Sequence, residues 1–519
     1  MGVSVHYLVF LLFVNTNEAA RILAVFPIPS VSHQVVFRPV THELARRGHD
    51  VTVMTTDPAF PNGGAPANLT EIDVHELSYD IWKKNYMIHS KGNEKDTMSQ
   101  LRISFELFIM LFDEQLRHKD MQKLINDKSQ KFDLLIIEGI FRPARALAHV
   151  FKAPMILLSS LSPLFDNIEI IGAPGHPLLY PEATRQRLNN LTWLGKLSEL
   201  YNHYKIQNIY HNSLVYENEM LRKHFGPDFP CVTEFNKDVD MLMVNVNPVF
   251  AGIQPVPPSM VFMGGLHIKP DSELPADLKS YLDNSKHGVI YISFGTNVDP
   301  TLLPPDQIQV LVKTLSKLPY DVLWKWNGDG LPGRSKNIRI SKWFPQSDLL
   351  KHPKVKVFVT QGGLQSTDEA ITAGVPLIGV PMLGDQWFNV ERYEYHKIGI
   401  RMDLSSATEE LFKDALLKII NDDSYRKNIV KLHTLMVDQP QKPLERAIWN
   451  IEYVLRHGGA KHLRSPAANI SWAEYLELEL VLTLLLVLVA IITVLVLIIR
   501  KLLKCFFEKP VPKVKSKRS

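Results

Sequence analysis

Two doubly wound α/β domains followed by one membrane-spanning helix are the fold this sequence predicts, on three observations. Short β-branched apolar runs alternate with stretches of helical spacing, a Pro-rich passage divides them into two sets, and an unbroken apolar segment stands near the C-terminus. A length of 519 residues exceeds what one hydrophobic core supports and suits two large domains. With 45% hydrophobic and 22% charged residues, the bulk is folded and aqueous, which excludes extended disorder and a polytopic membrane protein.

From the N-terminus, residues 1–20 hold an apolar run at 7–14, then polar residues and the small pair Ala19 and Ala20, so they read as a secretory signal cleaved near Ala20. The run 22–26, a Pro-rich turn, helical spacing over 35–47, a stop at Gly48 and the run 51–54 make a β-α-β unit. Runs at 134–137 and 155–158 continue the first set; runs at 289–293, 322–325, 355–359 and 377–380 form the second. Strands that are apolar throughout and alternate with helices imply parallel sheets covered on both faces. The junction is expected at Gln254-Pro255-Val256-Pro257-Pro258, continuing to Gly264 and Gly265, so the domains span 21–255 and 256–460.

Residues 480–499 are apolar apart from Thr, and about twenty helical residues match the hydrocarbon core of a bilayer. Glu474, Glu477 and Glu479, with Trp472 and Tyr475, precede the span; Arg500, Lys501, Lys504, Lys509, Lys513, Lys515, Lys517 and Arg518 follow it. Positive charge marks the cytosolic side, so the tail 500–519 is cytosolic. With a cleaved signal, residues 21–479 are lumenal, a type I arrangement in which 461–479 is the juxtamembrane segment. The ending Lys515-Ser516-Lys517-Arg518-Ser519 fits the Lys-x-Lys-x-x pattern for retrieval to the endoplasmic reticulum. Sequons at Asn68, Asn190 and Asn469 fit the same route. The net charge of +4 sits largely in the tail, so nucleic acid is excluded as a partner. Cys231 and Cys505 lie on opposite sides of the span and are not expected to pair, so folding rests on core burial.

Chemistry-bearing residues concentrate between 343 and 386. Trp343 and Gln346 come first, then Gln361-Gly362-Gly363 directly after the run 355–359, then Ser366, Thr367 and Glu369, and finally Asp385 and Gln386. Polar residues just after apolar strands lie at the C-terminal edge of a parallel sheet, where such folds bind ligands. Gly362 and Gly363 let the backbone approach a pyrophosphate, while Ser366 and Thr367 offer hydroxyls and free N–H groups at a helix start. Glu369 would accept both ribose hydroxyls, Trp343 offers an aromatic face to a base, and Gln346 reaches ribose or base polar atoms. Each feature alone has a plainer explanation: a core tryptophan, a loop glycine, a surface charge. Their joint spacing reads as a nucleotide-sugar site. The strand exit Tyr291-Ile292-Ser293-Phe294-Gly295-Thr296 is of the same kind.

This passage resembles the signature of the UDP-glycosyltransferases, the family of the animal glucuronosyl- and glucosyltransferases and the plant flavonoid glucosyltransferases. The resemblance covers nearly the whole chain, including the passage Gly459-Ala460-Lys461-His462-Leu463-Arg464, the span and the basic tail. It implies a GT-B fold, two Rossmann-like domains facing across a cleft. It also implies that Trp343 stacks on uracil, Gln346 and Glu369 hold the ribose, and Ser366 with the Gly362 and Gly363 backbone holds the diphosphate. Asp385 and Gln386 would hold the sugar hydroxyls, and Ser293, Gly295 and Thr296 a second part of the diphosphate. No metal and no cofactor besides the UDP-sugar donor is implied. Gln361 departs from the family, which usually has His there; Gln donates a neutral hydrogen bond but carries no charge. Gln is frequent here in insect members, which implies an insect enzyme using UDP-glucose.

Inverting transfer needs a base to take the acceptor hydroxyl's proton. His33 follows the first strand and enters a helix near Gln34, whose positive end favours the neutral imidazole. By position alone it is more often a cap or surface residue; the family places its catalytic His in this Pro-x-x-Ser-His context, which reverses that reading. Asp133 and Glu138 flank the fourth strand, and only Glu138 shares an edge with His33, in a place where the family carries Asp. Phe105, Phe108 and Phe112, near helical spacing within 101–112, are candidates to line the acceptor pocket, although an aromatic stripe is more often ordinary core; for that pocket the resemblance implies small lipophilic alcohols and phenols. A second reading is a silent, membrane-tethered UDP-sugar or aglycone binder, because Gln361 and Glu138 both depart from the family. Retention of His33, Asp385 and Gln386 favours the enzyme. Homo- or hetero-oligomerisation is left open.

Overall fold

In the computed structural model, residues 19–87 and 97–507 are described, so most of the signal segment and the Lys-x-Lys-x-x ending lie outside the described residues. The first sheet is built from β1 (Arg21–Phe26), β2 (Asp50–Thr55), β3 (Leu69–Asp73), β4 (Leu134–Glu138), β5 (Met155–Ser159), β6 (Val239–Val244) and β7 (Met260–Phe262), in the order β3-β2-β1-β4-β5-β6-β7. The second contains β8 (Val289–Ser293), β9 (Asp321–Lys325), β10 (Ile338–Ser341), β11 (Val355–Thr360), β12 (Leu377–Gly379) and β13 (Gly399–Arg401), ordered β10-β9-β8-β11-β12-β13. Every pairing is parallel. Both sheets thus reverse strand order once, between β1 and β4 and between β8 and β11, and such reversals open a crevice at the strands' C-terminal ends.

The apolar runs form strands because both of their faces are covered. Ile22, Leu23, Ala24 and Val25 of β1 and Leu134 to Ile137 of β4 are fully buried, each large side chain contributing roughly 1.5–3 kcal/mol by leaving water. Helix α1 (Val31–Arg46) starts a turn earlier than the spacing predicts and stops before Gly48, whose φ is +97°. Helix α2 (Thr97–Arg117) carries the phenylalanine stripe, which is core rather than pocket wall. Phe105 meets Phe165 and Tyr210, while Phe108 and Phe112 pack on Phe141. Helix α3 (Trp193–Phe225) packs against α2.

The expected domain boundaries need two corrections. The junction at 255/256 falls one strand early, because β7 pairs with β6 (Leu242↔Met260) and completes the first sheet. The chain also returns to that sheet before residue 460. Beyond α4 (Leu364–Ala373), α5 (Gln386–Tyr395) and α6 (Asp423–Val437), helix α7 (Pro443–His457) puts Ala447, Ile448, Ile451 and Val454 into one core with Ile22, Phe26, Val36 and Val40. Arg47, which caps the end of α1, donates to both carboxylate oxygens of Glu452 at 3.1 Å. Residues 461–468 follow the same course rather than forming a free linker: Arg464 donates to the carbonyls of Lys237 and Ile170. The compact unit accordingly runs to Ala468, and residues 469–519 form a second unit. There, α8 (Leu478–Phe507) extends the expected 480–499 span to 30 residues and is long and apolar enough to cross a membrane.

Candidate active site

His33 leaves the end of β1 on the first turn of α1, and Glu138 ends the neighbouring strand β4, so both stand at the first sheet's reversal. His33 Nδ1 lies 2.6 Å from Glu138 Oε1, and the second oxygen, Oε2, accepts from the Ile28 backbone N–H at 3.3 Å. Glu138 is fully buried and His33 is 8% exposed. The carboxylate fixes Nδ1 as the protonated nitrogen and leaves Nε2 with its lone pair. Asp133 lies at the opposite end of β4, where it accepts from the Arg21 backbone N–H at 2.8 Å.

The second sheet's reversal builds the other wall. Gly362, after β11, adopts φ +91°, and a Cβ there would stand 2.6 Å from Val390 Cγ2. Gly295, after β8, has φ +75°, and the Gln361 amide lies where its side chain would be. Glycine is therefore required at both turns, and Gly295, with Gln361 and Gly363 on either side of Gly362, lines the cavity. Gly363 caps α4, and Leu364, Gln365 and Ser366 of its first turn line the same cavity. Gln361 is 7% exposed, and its Oε1 has no partner among the described residues.

Gln346 makes more internal bonds than the motif suggests. Its Oε1 accepts from the Tyr291 hydroxyl at 3.0 Å, and its Nε2 donates to Ser366 Oγ at 2.9 Å and Glu369 Oε2 at 2.7 Å. It thus sets the position of both, and burial raises the Glu369 carboxyl above its ordinary range. Thr367 does not present its hydroxyl to the cavity; it is buried, donates to the Gly363 carbonyl and meets Tyr393. Gln386 accepts the Met382 and Leu383 N–H groups at 2.8 Å each, ordering the loop that carries Asp385. Asp385 accepts from Asn389 at 2.8 Å, and burial raises its carboxyl to about 6.

His33, Ser293, Gly295, Thr296, Trp343, Gln346, Gln361, Gly363, Ser366, Glu369, Asp385 and Gln386 line one cavity of about 410 Å³. Gly362 lies just behind it. Trp343 is 63% exposed. The sequence reading missed Lys325 at the end of β9, whose Nζ donates to the Gly295 carbonyl at 2.6 Å and sits 5.1 Å from the Trp343 ring centre. Burial lowers its ammonium to about 8. A polar residue ending an apolar strand at the ligand edge was the available signal. Asn297 was also missed; it donates to Ser30 Oγ at 3.2 Å and ties the two walls together.

Two Rossmann-like sheets, each reversing at a shared cleft that holds a His–Glu pair on one wall and two glycine turns on the other, define a GT-B glycosyltransferase. The chain belongs to the UDP-glycosyltransferase family: the family model described as UDP-glucoronosyl and UDP-glucosyl transferase matches residues 21–517. It is similar to the ecdysteroid UDP-glucosyltransferase of Spodoptera littoralis nuclear polyhedrosis virus, with 35% identity over 90% of this chain and 94% of that protein. It is also similar to the UDP-glycosyltransferase UGT5 of Dactylopius coccus, with 31% identity over 91% and 90%. Among solved structures, the calicheamicin glycosyltransferase CalG4 shares the fold at a TM-score of 0.56 and 17% identity, over 85% of this chain and 99% of that one. The protein is an enzyme that moves a sugar from a UDP-sugar to an acceptor.

Proposed function

We propose that the enzyme transfers glucose from UDP-glucose, with inversion, to a hydroxyl of a small lipophilic acceptor, and that His33 is the base. The 2.6 Å contact between His33 Nδ1 and Glu138 carries this reading. With Nδ1–H held by the carboxylate, Nε2 takes the acceptor's proton as its oxygen attacks the anomeric carbon and the bond to UDP breaks. Glu138 then stabilises the imidazolium that forms. Trp343 stacks on uracil and Glu369 accepts the ribose hydroxyls. The diphosphate meets Ser293, Gly295, Thr296, Ser366 and the backbone around Gly362 and Gly363, with Gln361 Nε2 as a neutral donor. Asp385 and Gln386 receive the sugar hydroxyls.

Glucose is favoured over glucuronate because the two residues that receive the sugar are the Asp385 carboxyl, which repels a uronate carboxylate, and the uncharged Gln386. The relatives named for ecdysteroids act, by that name, on hydroxylated steroids; a lipophilic alcohol of this kind is the acceptor class we assign. The α8 helix anchors the enzyme, and the charge bias about residues 480–499 supports catalytic domains in the lumen of the endoplasmic reticulum. The test is single-turnover transfer from labelled UDP-glucose to ecdysteroid and phenol acceptors by wild type and His33→Ala. Loss of on the order of 10³-fold in rate with UDP affinity intact is expected; transfer by His33→Ala within tenfold of wild type overturns the assignment.

A further inference from the structure

Ser30 occupies the N-cap of α1, yet its side chain makes no cap hydrogen bond. A serine there ordinarily accepts from the backbone N–H two or three residues on, which would be that of Ser32 or His33. Its hydroxyl is directed at the opposite wall of the cleft instead. Ser30 Oγ accepts from Asn297 Nδ2 at 3.2 Å and lies 2.9 Å from Ser32 Oγ. Ser30 is 2% exposed, so little of this contact is open to competing water.

Both ends of the bridge are tied into working parts of the site. On the first wall, the Ser30 carbonyl accepts from the His33 N–H at 3.0 Å, and the Ser30 N–H donates to the Ile28 carbonyl at 2.8 Å. Ile28 in turn donates its N–H to Glu138 Oε2. Ser30 therefore stands between the base and the carboxylate that orients it. On the second wall, Asn297 directly follows Gly295 and Thr296 after β8. Lys325 Nζ holds the Gly295 carbonyl at 2.6 Å, and the buried Val298 roots the far end of this turn in the core. Ser32, His33, Gly295, Thr296 and Asn297 line the same cavity.

We propose that Asn297 is a positioning residue that couples donor occupancy to the base: a diphosphate seated on Gly295 and Thr296 fixes their turn, and the Asn297–Ser30 bond passes that order to the turn carrying His33. In this role Asn297 acts through Ser30 and not on the reacting atoms. The role rests on the assignment of His33 as base and of residues 295–296 to the diphosphate. A single hydrogen bond between the walls biases their arrangement by its own net free energy, a factor of roughly twofold to tenfold.

Full-length protein in lipid nanodiscs is followed by hydrogen exchange of the segment 28–34 with and without saturating UDP, and by single-turnover transfer from UDP-glucose to a phenol. UDP is expected to slow exchange of this segment about tenfold in wild type and by less than about twofold in Asn297→Ala and Ser30→Ala. Asn297→Ala lowers the transfer rate about tenfold with UDP affinity within about threefold of wild type, and the double variant with Ser30→Ala loses no more than either alone. In a His33→Ala background, Asn297→Ala costs nothing further. Gln365→Ala, which removes a bond to the Ser160 carbonyl across the same cleft, leaves the UDP-dependent protection in place. If Asn297→Ala does not fold, Ser30→Ala decides. The proposal is overturned by protection that persists in the folded variants or is equally lost in Gln365→Ala, by additive losses in the double variant, by an equal loss in the His33→Ala background, or by UDP affinity falling in step with the rate. Transfer by His33→Ala at close to the wild-type rate overturns the base assignment instead, and the exchange measurements then still test the coupling between the walls.

Discussion

Glu138 reaches His33 Nδ1 at 2.6 Å from the adjacent strand even though it is one methylene longer than the Asp common in this family. The extra length is taken up because Oε2 turns back to the Ile28 N–H, which anchors the carboxylate by two contacts. Glu138→Gln keeps the shape but offers a neutral partner, so kcat is expected to fall on the order of 10²–10⁴-fold with little change in UDP affinity. Glu138→Asp retains more activity than Glu138→Gln in steady-state assays. The reverse ranking would mean that the carboxylate's charge is not what orients the base.

Asp385 gives a pH dependence of known sign. Burial raises its carboxyl from 3.8 to about 6, so the folded chain holds this proton more tightly than the unfolded one. Between about pH 4 and 6 the group therefore costs increasing stability as pH rises, approaching about 3 kcal/mol at neutrality. Asp385→Asn removes this slope in urea titrations across that range. If sugar hydroxyls donate to the ionised carboxylate, KM for UDP-glucose rises as pH falls through 6 in wild type, and is flat in the variant.

Gly362→Ala forces a left-handed φ of +91° on a residue with a Cβ and drives that atom to 2.6 Å from Val390 Cγ2. The expected cost is about 2–4 kcal/mol in stability, with weaker UDP binding because the backbone withdraws from the phosphates. Thermal unfolding with and without UDP checks both effects; Gly363→Ala, with φ −62° and the Gln361 amide at ordinary contact distance, is the mild control.

Much of this was legible in the sequence, and for a physical reason. The strands next to each reversal, β1, β4, β8 and β11, are buried on both faces and so read as apolar runs, interrupted only by Lys356 in β11. The outer strand β3, Leu-Thr-Glu-Ile-Asp, buries only Leu69 and Ile72 and was missed, as were β6, whose apolar run Asp240 interrupts, the edge strand β10 and the three-residue strands β7 and β13. Periodicity placed Phe105, Phe108 and Phe112 on one helix face but does not say whether that face meets a ligand or other rings. Gln346 and Gln386 lie in the cleft as expected, yet most of their hydrogen-bonding capacity goes to Tyr291, Ser366, Glu369 and the 382–383 backbone. Spacing locates a side chain without revealing which neighbours claim it.

Gln361→His restores a titratable group beside Gly295. The variant is expected to gain an acid limb in its kcat profile, with the ratio of rates at pH 6 and pH 8 rising on the order of threefold to tenfold, because an imidazolium stabilises the departing diphosphate better than a neutral amide. Wild type lacks such a limb from this position. An unchanged ratio would mean that residue 361 shapes the Gly295 turn without touching the leaving group.

Lys325 supplies the cationic charge nearest the Trp343 ring and the Gly295 carbonyl, and its ammonium is lowered from 10.5 to about 8 by burial. In the free enzyme the charged form is disfavoured, so its stability cost is present below about pH 8 and is relieved as pH rises toward 10.5. A bound diphosphate opposes that shift by favouring the ammonium. UDP binding should then take up a proton on the alkaline side, and affinity should fall as pH rises from 8 toward 10. Lys325→Met is expected to lower UDP affinity at pH 7 by about tenfold and to abolish the proton uptake. Calorimetry of UDP binding in buffers of different ionisation enthalpy measures that uptake directly. Equal proton uptake in wild type and Lys325→Met would remove Lys325 from the phosphate site and leave it as a prop under Trp343.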